Sequence, residues 1–188
     1  NPDYVSAAYV LWSNTGVAEG YVKRKPIFGS KAGMTRIWGW DNVFNALALC
    51  EFYPEMAMDQ FMIPYDCMSK TGKIPDTINA TGMEWTNVKP PVQGWAFQIM
   101  MKKNAYFSKA KVIEEAYFAM KHNTDWWLNF KNGIPLYMHG NDSGCDNSTC
   151  FDNADCIASP DLIAFLAIQC ECLSVLAEKL GLFTDCRK

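Results

Sequence analysis

The stretch SPDLIAFLAIQCECLSVLAEKLG, at residues 159–181, is the strongest indicator of the fold class of this chain. Ser159 occupies a helix-cap position, Pro160 suits the first helical residue, and Asp161 favours the positive end of a helix. Gly181 follows the last periodic residue and is typical of a helix end. The segment therefore predicts a long helix whose apolar face consists of Leu162, Phe165, Leu166, Leu173, Leu176 and Leu180.

Apolar residues recur at the same helical spacing through much of the remaining chain. The pattern predicts helices over residues 3–13, from Asn42 to about Phe52 behind an Asp41 cap, from Pro54 onward, over residues 95–102, and from a Ser108 cap to about Phe130. The predicted inner faces of the second and the last of these consist of Val43, Phe44, Leu47 and Ala48, and of Val112, Ile113, Ala116, Tyr117 and Met120. Roughly six helices are therefore expected in all.

The segments between the predicted helices are rich in glycine and proline, above all residues 14–40, 69–93 and 131–158. Short strands are expected only around Tyr21–Val22 and Thr35–Trp38, and convincing strand alternation is missing elsewhere. A length of 188 residues without an obvious linker fits one domain. We therefore predict a single all-α domain over residues 1–188 that carries its chemistry on loops.

Charge and hydropathy disfavour two classes of partner. The 17 basic and 20 acidic side chains give a net charge of −3, so the basic excess that nucleic-acid binding requires is missing. No uninterrupted apolar run approaches the ~18 residues of a membrane helix, so no membrane partner is expected. The N-terminus Asn1-Pro2-Asp3-Tyr4 lacks both the order of a signal peptide and an initiator methionine. We expect a cytoplasmic protein whose chain is a processed or excised piece.

The eight cysteines form no recognisable metal or disulfide pattern. None has Cys-x-x-Cys spacing and the chain has two histidines, so a zinc site is disfavoured. The chain is also long for a disulfide-stapled small domain. We expect free thiols in a reducing compartment, most of them acting as small core residues, and no cofactor. A structural helical module whose cysteines hold a metal is the alternative.

Two polar runs carry the candidate chemistry. The first, NDSGCDNST at residues 141–149, holds the carboxylates of Asp142 and Asp146 in a glycine-broken loop between predicted helices. A carboxylate on a loop over a helical scaffold is a typical place for acid–base chemistry. The second, WGWDN at residues 38–42, sets two tryptophans beside Asp41. Because indole faces stack on sugar C–H groups and carboxylates accept from sugar hydroxyls, the two runs together indicate carbohydrate chemistry.

Several longer segments resemble glycoside hydrolase family 63. The run WGWDNVFNALAL at residues 38–49 is similar to the family's Trp-x-Trp-Asp segment. The likeness continues through PEMAMDQF (54–61), GKIPD (72–76), KPPVQGWA (89–96), HGNDSGCDNST (139–149) and SPDL (159–162). Their order and spacing look like the bacterial branch that includes mannosylglycerate and glucosylglycerate hydrolases. The resemblance covers nearly the whole chain.

The resemblance implies an (α/α)6 toroid with a cleft at one end of the barrel, and hydrolysis of α-glucosidic or α-mannosidic bonds with inversion. An inverting mechanism needs an acid and a base about 6.5–9.5 Å apart, with a water between them. By position, Asp146 matches the family's general acid, and Asp142 fits a supporting role beside it. The residues implied to contact a small carbohydrate are Trp38, Trp40, Asp41, Lys89, Gln93, Trp95 and Asp142.

Two departures from the family pattern shape the functional prediction. Position 145 is commonly a bulky apolar residue in relatives, so Cys145 shrinks the wall beside the acid. A full toroid needs about twelve helices of roughly 12 residues each plus long loops, which exceeds this chain. About half of the barrel is therefore expected, and the general base, a glutamate, is implied to lie in a missing C-terminal half.

Half a barrel leaves apolar helix faces open, so a covering partner is expected. The partner is a complementing chain, the remainder of a longer parent, or a second copy. Two alternative functions stay open. One is a non-catalytic sugar-binding remnant, and the other is a trehalase-like hydrolase, because trehalases have similar Pro-x-x-Gly-Trp-Ala and Ser-Gly-x-Asp elements.

Overall fold

Helices dominate the chain, as the all-α prediction requires. The computed structural model describes residues 2–182, except for the side chains of Lys131 and Asn132. Its α-helices are α1 Pro2–Ser13, α2 Asp41–Leu49, α3 Pro54–Asp66, α4 Gln93–Lys103, α5 Ala110–Leu128 and α6 Pro160–Lys179. Short 3₁₀ helices cover Ala105–Ser108, Phe130–Gly133, Gly140–Ser143 and Thr149–Phe151. All six predicted helices are confirmed, with small changes at their ends.

At three helix starts the predicted capping side chain makes no capping hydrogen bond. α2 begins at Asp41 itself with Trp40 in the cap position, so Asp41 is the first helical residue and not the cap. Ser108 ends a 3₁₀ helix, and α5 starts behind Lys109. Ser159 does precede α6, but its hydroxyl donates to the Asp161 carboxylate. The turn that leads into each helix decides these details, and residue spacing does not specify that turn.

The predicted inner face of α5 is confirmed, since all five of its residues are buried. The predicted face of α2 is wrong in part. Its buried residues are Asn42, Val43, Ala46 and Leu49, whereas Phe44 is 47% exposed. The reason is a buried hydrogen bond from Asn42 Nδ2 to Gln60 Oε1 of α3, which turns the polar Asn42 inward and Phe44 outward.

The face of α6 is confirmed for Leu162, Leu166 and Leu176, which are buried together with Gln169, Cys172 and Ala177. Among residues 2–182, α6 is also the one helix that is long and apolar enough to cross a membrane by length and composition alone. No such segment is predicted from uninterrupted apolar runs alone. That criterion does not detect α6, whose apolar run is interrupted by Glu171. In this fold α6 packs against α4 and α5 and leaves Ile163 and Val175 exposed.

A small antiparallel sheet, which the sequence predicts only at its first strand, brings distant loops together. Its strands β1 Ile37–Trp38, β2 Thr77–Ile78 and β3 Met83–Glu84 lie in that order. Ile37 pairs with Ile78 and Trp38 with Thr77. Since antiparallel pairing continues outward from Trp38 and Thr77, Gly39 and Asp76 lie at the same end of the pair. The sheet thereby sets the Asp76 loop beside the start of α2.

A tight crossing of α4 and α6 fixes the start of α4. A Cβ added at Gly94 would lie 2.6 Å from Gln169 Cα, so only glycine allows this approach. The Gly94 amide donates to Gln169 Oε1 over 2.9 Å, and Gln169 Nε2 donates to Thr124 Oγ1 over 2.9 Å. Gln169 therefore ties α4, α5 and α6 together and holds Gln93 and Trp95 in place on either side of Gly94.

The described cysteines are free, as expected, but fewer of them belong to the core than predicted. Cys50, Cys67 and Cys172 are buried. The four exposed cysteines are Cys145, Cys150, Cys156 and Cys170. Three of these lie in the long loop after α5, where little protein mass covers them. Cys186 lies outside the described residues.

Candidate active site

An aromatic wall forms where α2 and α4 begin. The rings of Trp40 and Phe44 meet edge to face with centroids 6.1 Å apart, and those of Phe44 and Trp95 are also 6.1 Å apart, tilted by 56°. Trp40 and Trp95 are backed by a buried cluster of Val43, Val92 and Ala96. The sequence prediction missed Phe44 as a site residue, although its spacing of four from Trp40 on one helix is a signal that places both rings on one side.

The loop that carries Asp146 lies on this wall. Gly144 has a φ of +73°, and a Cβ added to it would lie 2.1 Å from Trp40 Cζ2. The backbone therefore rests directly on the indole, in a conformation and at a distance that favour glycine. Asp146 follows in a turn and is exposed, as is Cys145. The predicted acid is thus accessible beside the predicted sugar-stacking ring.

Asp142 holds the same loop in place through hydrogen bonds with the backbone. Its side chain is buried and accepts three backbone hydrogen bonds. The amide of Val88 donates to Oδ1 over 2.9 Å, and those of Met138 and His139 donate to Oδ2 over 2.8 and 3.0 Å. A direct substrate contact by Asp142 does not fit this geometry, because both oxygens are occupied and only 3% of the residue is exposed. Asp142 is a positioning residue.

Lys89 is also occupied by the protein. Its ammonium lies 3.2 Å from Asp76 Oδ1 and donates to the carbonyl of Asn141, and both charged side chains are about nine-tenths buried. Lys89, which was predicted to contact substrate, thus bridges the Asp76 loop and the loop at residues 139–149 that carries Asp146, called the acid loop below. Asp76 was not predicted as a site residue. Its only sequence signal is its place at the end of the GKIPD run.

The pKa of Asp41 is changed by desolvation and by three nearby charged groups. Although its surface is exposed, the surrounding protein mass desolvates the carboxyl and raises its pKa. The positive charge of Lys89 opposes this shift, while Asp76 and Asp146 add to it. Lys89, Asp76 and Asp146 are therefore each close enough to influence Asp41, so the fold brings the predicted acid near the residue predicted to bind the sugar hydroxyls.

Two predicted contacts lie differently from the rest. Gln93 is buried, with its Nε2 donating to the carbonyl of Gly39 over 3.3 Å and its Oε1 without a partner in the described structure. It faces a small cavity between Lys89, Asn123 and Trp126. Trp38 pairs with Thr77 in the sheet, and its ring lies against Gly29. Trp38 therefore lies in the sheet and makes no described contact with the aromatic wall.

The side chains that could bind a metal ion do not cluster in the described part of the chain. Across residues 2–182, no group of three or more His, Cys, Asp or Glu side chains is arranged to hold a metal ion. The candidate site described above consists of carboxyl groups beside aromatic rings that meet edge to face or tilted.

Comparisons with known proteins agree on the fold. Two solved structures from Thermus thermophilus are similar to this chain. One is an uncharacterized conserved protein, with a TM-score of 0.74 and 16% identity. The other is a GH63 mannosylglycerate hydrolase in complex with glucose, with a TM-score of 0.75 and 15% identity. Both alignments cover 94% of this chain, but only 57% and 58% of the respective neighbours. The fold is thus that of the six-hairpin glycosidases, present in part.

The sequence comparison identifies the family. The search of curated proteins found no match to the chain. The sequence model of the mannosylglycerate hydrolase MGH1-like glycoside hydrolase domain matches residues 34–184, which include the aromatic wall, the Lys89 segment and the acid loop. That match spans most of the chain and confirms the predicted resemblance. The chain belongs to the MGH1-like glycoside hydrolase family.

Proposed function

We propose that this chain supplies the proton-donor half of an inverting hydrolase of small α-glucosides or α-mannosides, as a single partial catalytic domain. The observation that carries the proposal is the contact of Gly144 with Trp40. The same loop carries the exposed Asp146, which is close enough to Asp41 to raise the pKa of the Asp41 carboxyl. Membership of a glycoside hydrolase family supports the reaction class. The glucose bound in a neighbour of the same fold supports the sugar as ligand.

Each group has a defined role in this mechanism. Trp40 and Trp95 stack on the sugar, while Asp41 accepts hydrogen bonds from its hydroxyls. Asp146 gives a proton to the departing glycosidic oxygen. In the same step a base must activate a water on the opposite face of the sugar, about 6.5–9.5 Å from the acid, so that the water's oxygen bonds to the anomeric carbon as the glycosidic bond breaks. We assign the base to the part of the barrel that this chain does not span, because the chain covers 57% of its neighbour's length.

The remainder of a longer parent is the partner that we propose for the open helix faces. None of the residues of α1 is buried, and Tyr4 and Trp12 are 76% and 73% exposed. An apolar groove runs between α1 and the corner from α2 to α3, where Phe52 and Tyr53 are also exposed. Apolar surface of this extent indicates a covering protein. Light scattering of the purified chain tests this, and a stable monomer would contradict it.

Substitution of Asp146 by Asn tests the reaction. The sample is this chain together with the remaining segment of the proposed longer parent, which completes the barrel. It is assayed with glucosylglycerate, mannosylglycerate, trehalose and kojibiose, and the products are followed by NMR. We expect β-configured product from an α-glycoside and loss of turnover in Asp146→Asn with binding retained. Asp155→Asn, an exposed loop aspartate, is the control. Retained turnover in Asp146→Asn would remove the assigned role.

A sugar-binding protein without catalysis is the second candidate. It is favoured by the same partial span, since a chain that holds the acid and the stacking wall without a base can bind but not hydrolyse. Binding of glucose to the chain in the absence of any turnover by the completed barrel would select this function. Turnover by the completed barrel would reject it.

A further inference from the structure

A second pocket opens at the surface between α5 and the turn at residues 69–72. It has a volume of about 450 Å³, within the range of roughly 300–1,000 Å³ that small-molecule sites occupy. Trp126 lines both this pocket and the small cavity that Gln93 faces, whereas none of the three rings of the aromatic wall lines either. The pocket, which we call the accessory pocket, is therefore a neighbour of the candidate active site and separate from its aromatic wall.

Trp126 and Phe130 form the aromatic side of the accessory pocket. They are four positions apart, their ring centroids lie 5.3 Å apart and their planes are tilted by 44°. Both are partly buried, and Trp126 packs against a buried cluster that includes Trp127 and Leu162. An indole that the core holds in place and that also lines a pocket offers a fixed surface for the C–H face of a sugar ring.

The rest of the lining is polar and exposed, and consists of Lys70, Thr71, His122, Asp125 and Asn129. A carboxylate accepts hydrogen bonds, an ammonium donates them, and an amide or a hydroxyl does both. Sugar hydroxyls need donors and acceptors together, so this mixed set fits a carbohydrate better than an apolar ligand. Asp125 pairs with Lys121 at 2.9 Å, so the charges at the pocket are mixed in sign and favour a neutral ligand over a phosphate.

Contacts within the protein hold the two sides of the accessory pocket at a fixed spacing. Gly72 has a φ of +95°, and a Cβ added to it would lie 2.4 Å from the carbonyl oxygen of His122. The Gly72 carbonyl also accepts a buried hydrogen bond from Asn123 Nδ2 over 2.8 Å. The turn that carries Lys70 and Thr71 is therefore fixed directly on α5. Because a ligand does not have to order this turn, less free energy is lost when it binds.

We propose that the accessory pocket is a second carbohydrate site, which binds one neutral hexose ring, either free or as a unit of a glycoside. The ring stacks on Trp126, and its hydroxyls form hydrogen bonds with Asp125 and Asn129. Such a site goes beyond the proposed function, because the pocket contains none of the residues assigned to the reaction. It binds its ligand whether or not the chain hydrolyses a glycoside.

NMR titration of the full ¹⁵N-labelled chain with glucose tests the site. Amides at residues 70–72 and 122–130 report on the accessory pocket, and those at 40–44 and 144–146 report on the candidate active site. We expect saturable shifts in the first group, with an affinity on the order of 1 mM. Shifts in the first group alone would support the accessory site and count against the proposed function.

Sorbitol is the matched control ligand, because it has the hydroxyls of a hexose but no ring. It should not saturate the amides of the accessory pocket. Equal shifts with sorbitol and glucose, or no saturable shift with glucose in that group, would overturn the proposal.

Methyl α-glucoside and glucose 6-phosphate define the ligand further. Retained binding of the methyl glucoside would assign a unit within a glycoside, and its loss would assign the free sugar; both results support a hexose site. Glucose 6-phosphate should bind no more tightly than glucose. An affinity about tenfold higher for the phosphate would show an anion site and overturn the assignment of a neutral ligand.

Trp126→Ala tests the stacking ring, with Phe118→Ala as the matched control because Phe118 is 55% exposed on the same helix. We expect Trp126→Ala to weaken glucose binding by about threefold to tenfold and Phe118→Ala to leave it unchanged. Since Trp126 also contacts the buried cluster, Asn129→Ala, at an exposed position, is the second variant and decides the question if Trp126→Ala does not fold. It should weaken binding by about threefold. Equal effects of the two aromatic variants, or unchanged affinity in Asn129→Ala, would overturn the proposal.

Discussion

The backbone of Gly144 rests on the indole of Trp40, so that a Cβ at position 144 would lie 2.1 Å from Trp40 Cζ2. These two residues are more than a hundred positions apart in sequence, and their contact joins the two runs that carry the candidate chemistry. The position of the loop that carries Asp146, relative to the Trp40 ring, is therefore set by a direct contact between backbone and ring.

Gly144→Ala should displace the acid loop. The added methyl group meets the indole, and alanine disfavours the positive φ of +73°, so we expect a loss of about 3 kcal/mol or more in the free energy of unfolding. Gly181→Ala is the matched control, because Gly181 has the same φ of +73° with no atom within 4 Å of the added Cβ. It should lose only about 1 kcal/mol. Urea unfolding measures both, and equal losses would contradict the contact.

Lys89→Met should destabilise the fold much more than removal of a surface lysine. It leaves Asp76 charged and nine-tenths buried without a partner and frees the Asn141 carbonyl, so we expect a loss of about 3–5 kcal/mol. Lys103→Met breaks an exposed pair with Glu51 and should lose at most about 1 kcal/mol. Adding Asp76→Asn to Lys89→Met should restore part of the stability, because the unpaired charge is then gone. No recovery would contradict the pairing.

Asp142→Asn should loosen the acid loop without touching Asp146. An amide offers one acceptor oxygen where the carboxylate offers two, so the Met138 and His139 amides or the Val88 amide lose their partner. We expect a loss of about 2–4 kcal/mol and faster hydrogen exchange at those amides. Asp155→Asn, in the same loop and exposed, should change neither quantity. Unchanged exchange at Met138 and His139 would contradict the anchoring role.

Thiol labelling should divide the described cysteines by burial. Cys145, Cys150 and Cys156 are exposed and should react with iodoacetamide in the folded protein at pH 8. Burial raises the pKa of Cys67 to about 11. Because the thiolate is the reactive form, Cys67 should stay unlabelled at pH 8 and react faster only as the pH rises toward that value or the chain unfolds. Mass spectrometry of each peptide measures this, and fast labelling of Cys67 in the native protein at pH 8 would contradict its burial.

The periodicity of the chain was enough to predict its helices. The five inner residues of α5 are all buried, and α6 starts at Pro160 behind Ser159, because apolar spacing and end signals act within a few residues of one another. The residue types of two polar runs, at 38–42 and 141–149, also located the candidate site, and the family resemblance assigned roles to their residues. The roles of individual side chains within that site were less predictable.

Local spacing and motif order therefore specify the helical architecture, the family and the segments that meet at the site. Three features emerge only when the chain is folded: Phe44 packs against Trp95, Asp142 anchors the loop that carries Asp146, and Lys89 pairs with Asp76 and bonds to the Asn141 carbonyl. The physical reason is range, since Val88 and Asp142 bond across 54 positions, and Lys89 and Asn141 across 52. Contacts of that span depend on how the helices and loops pack, which local spacing cannot encode.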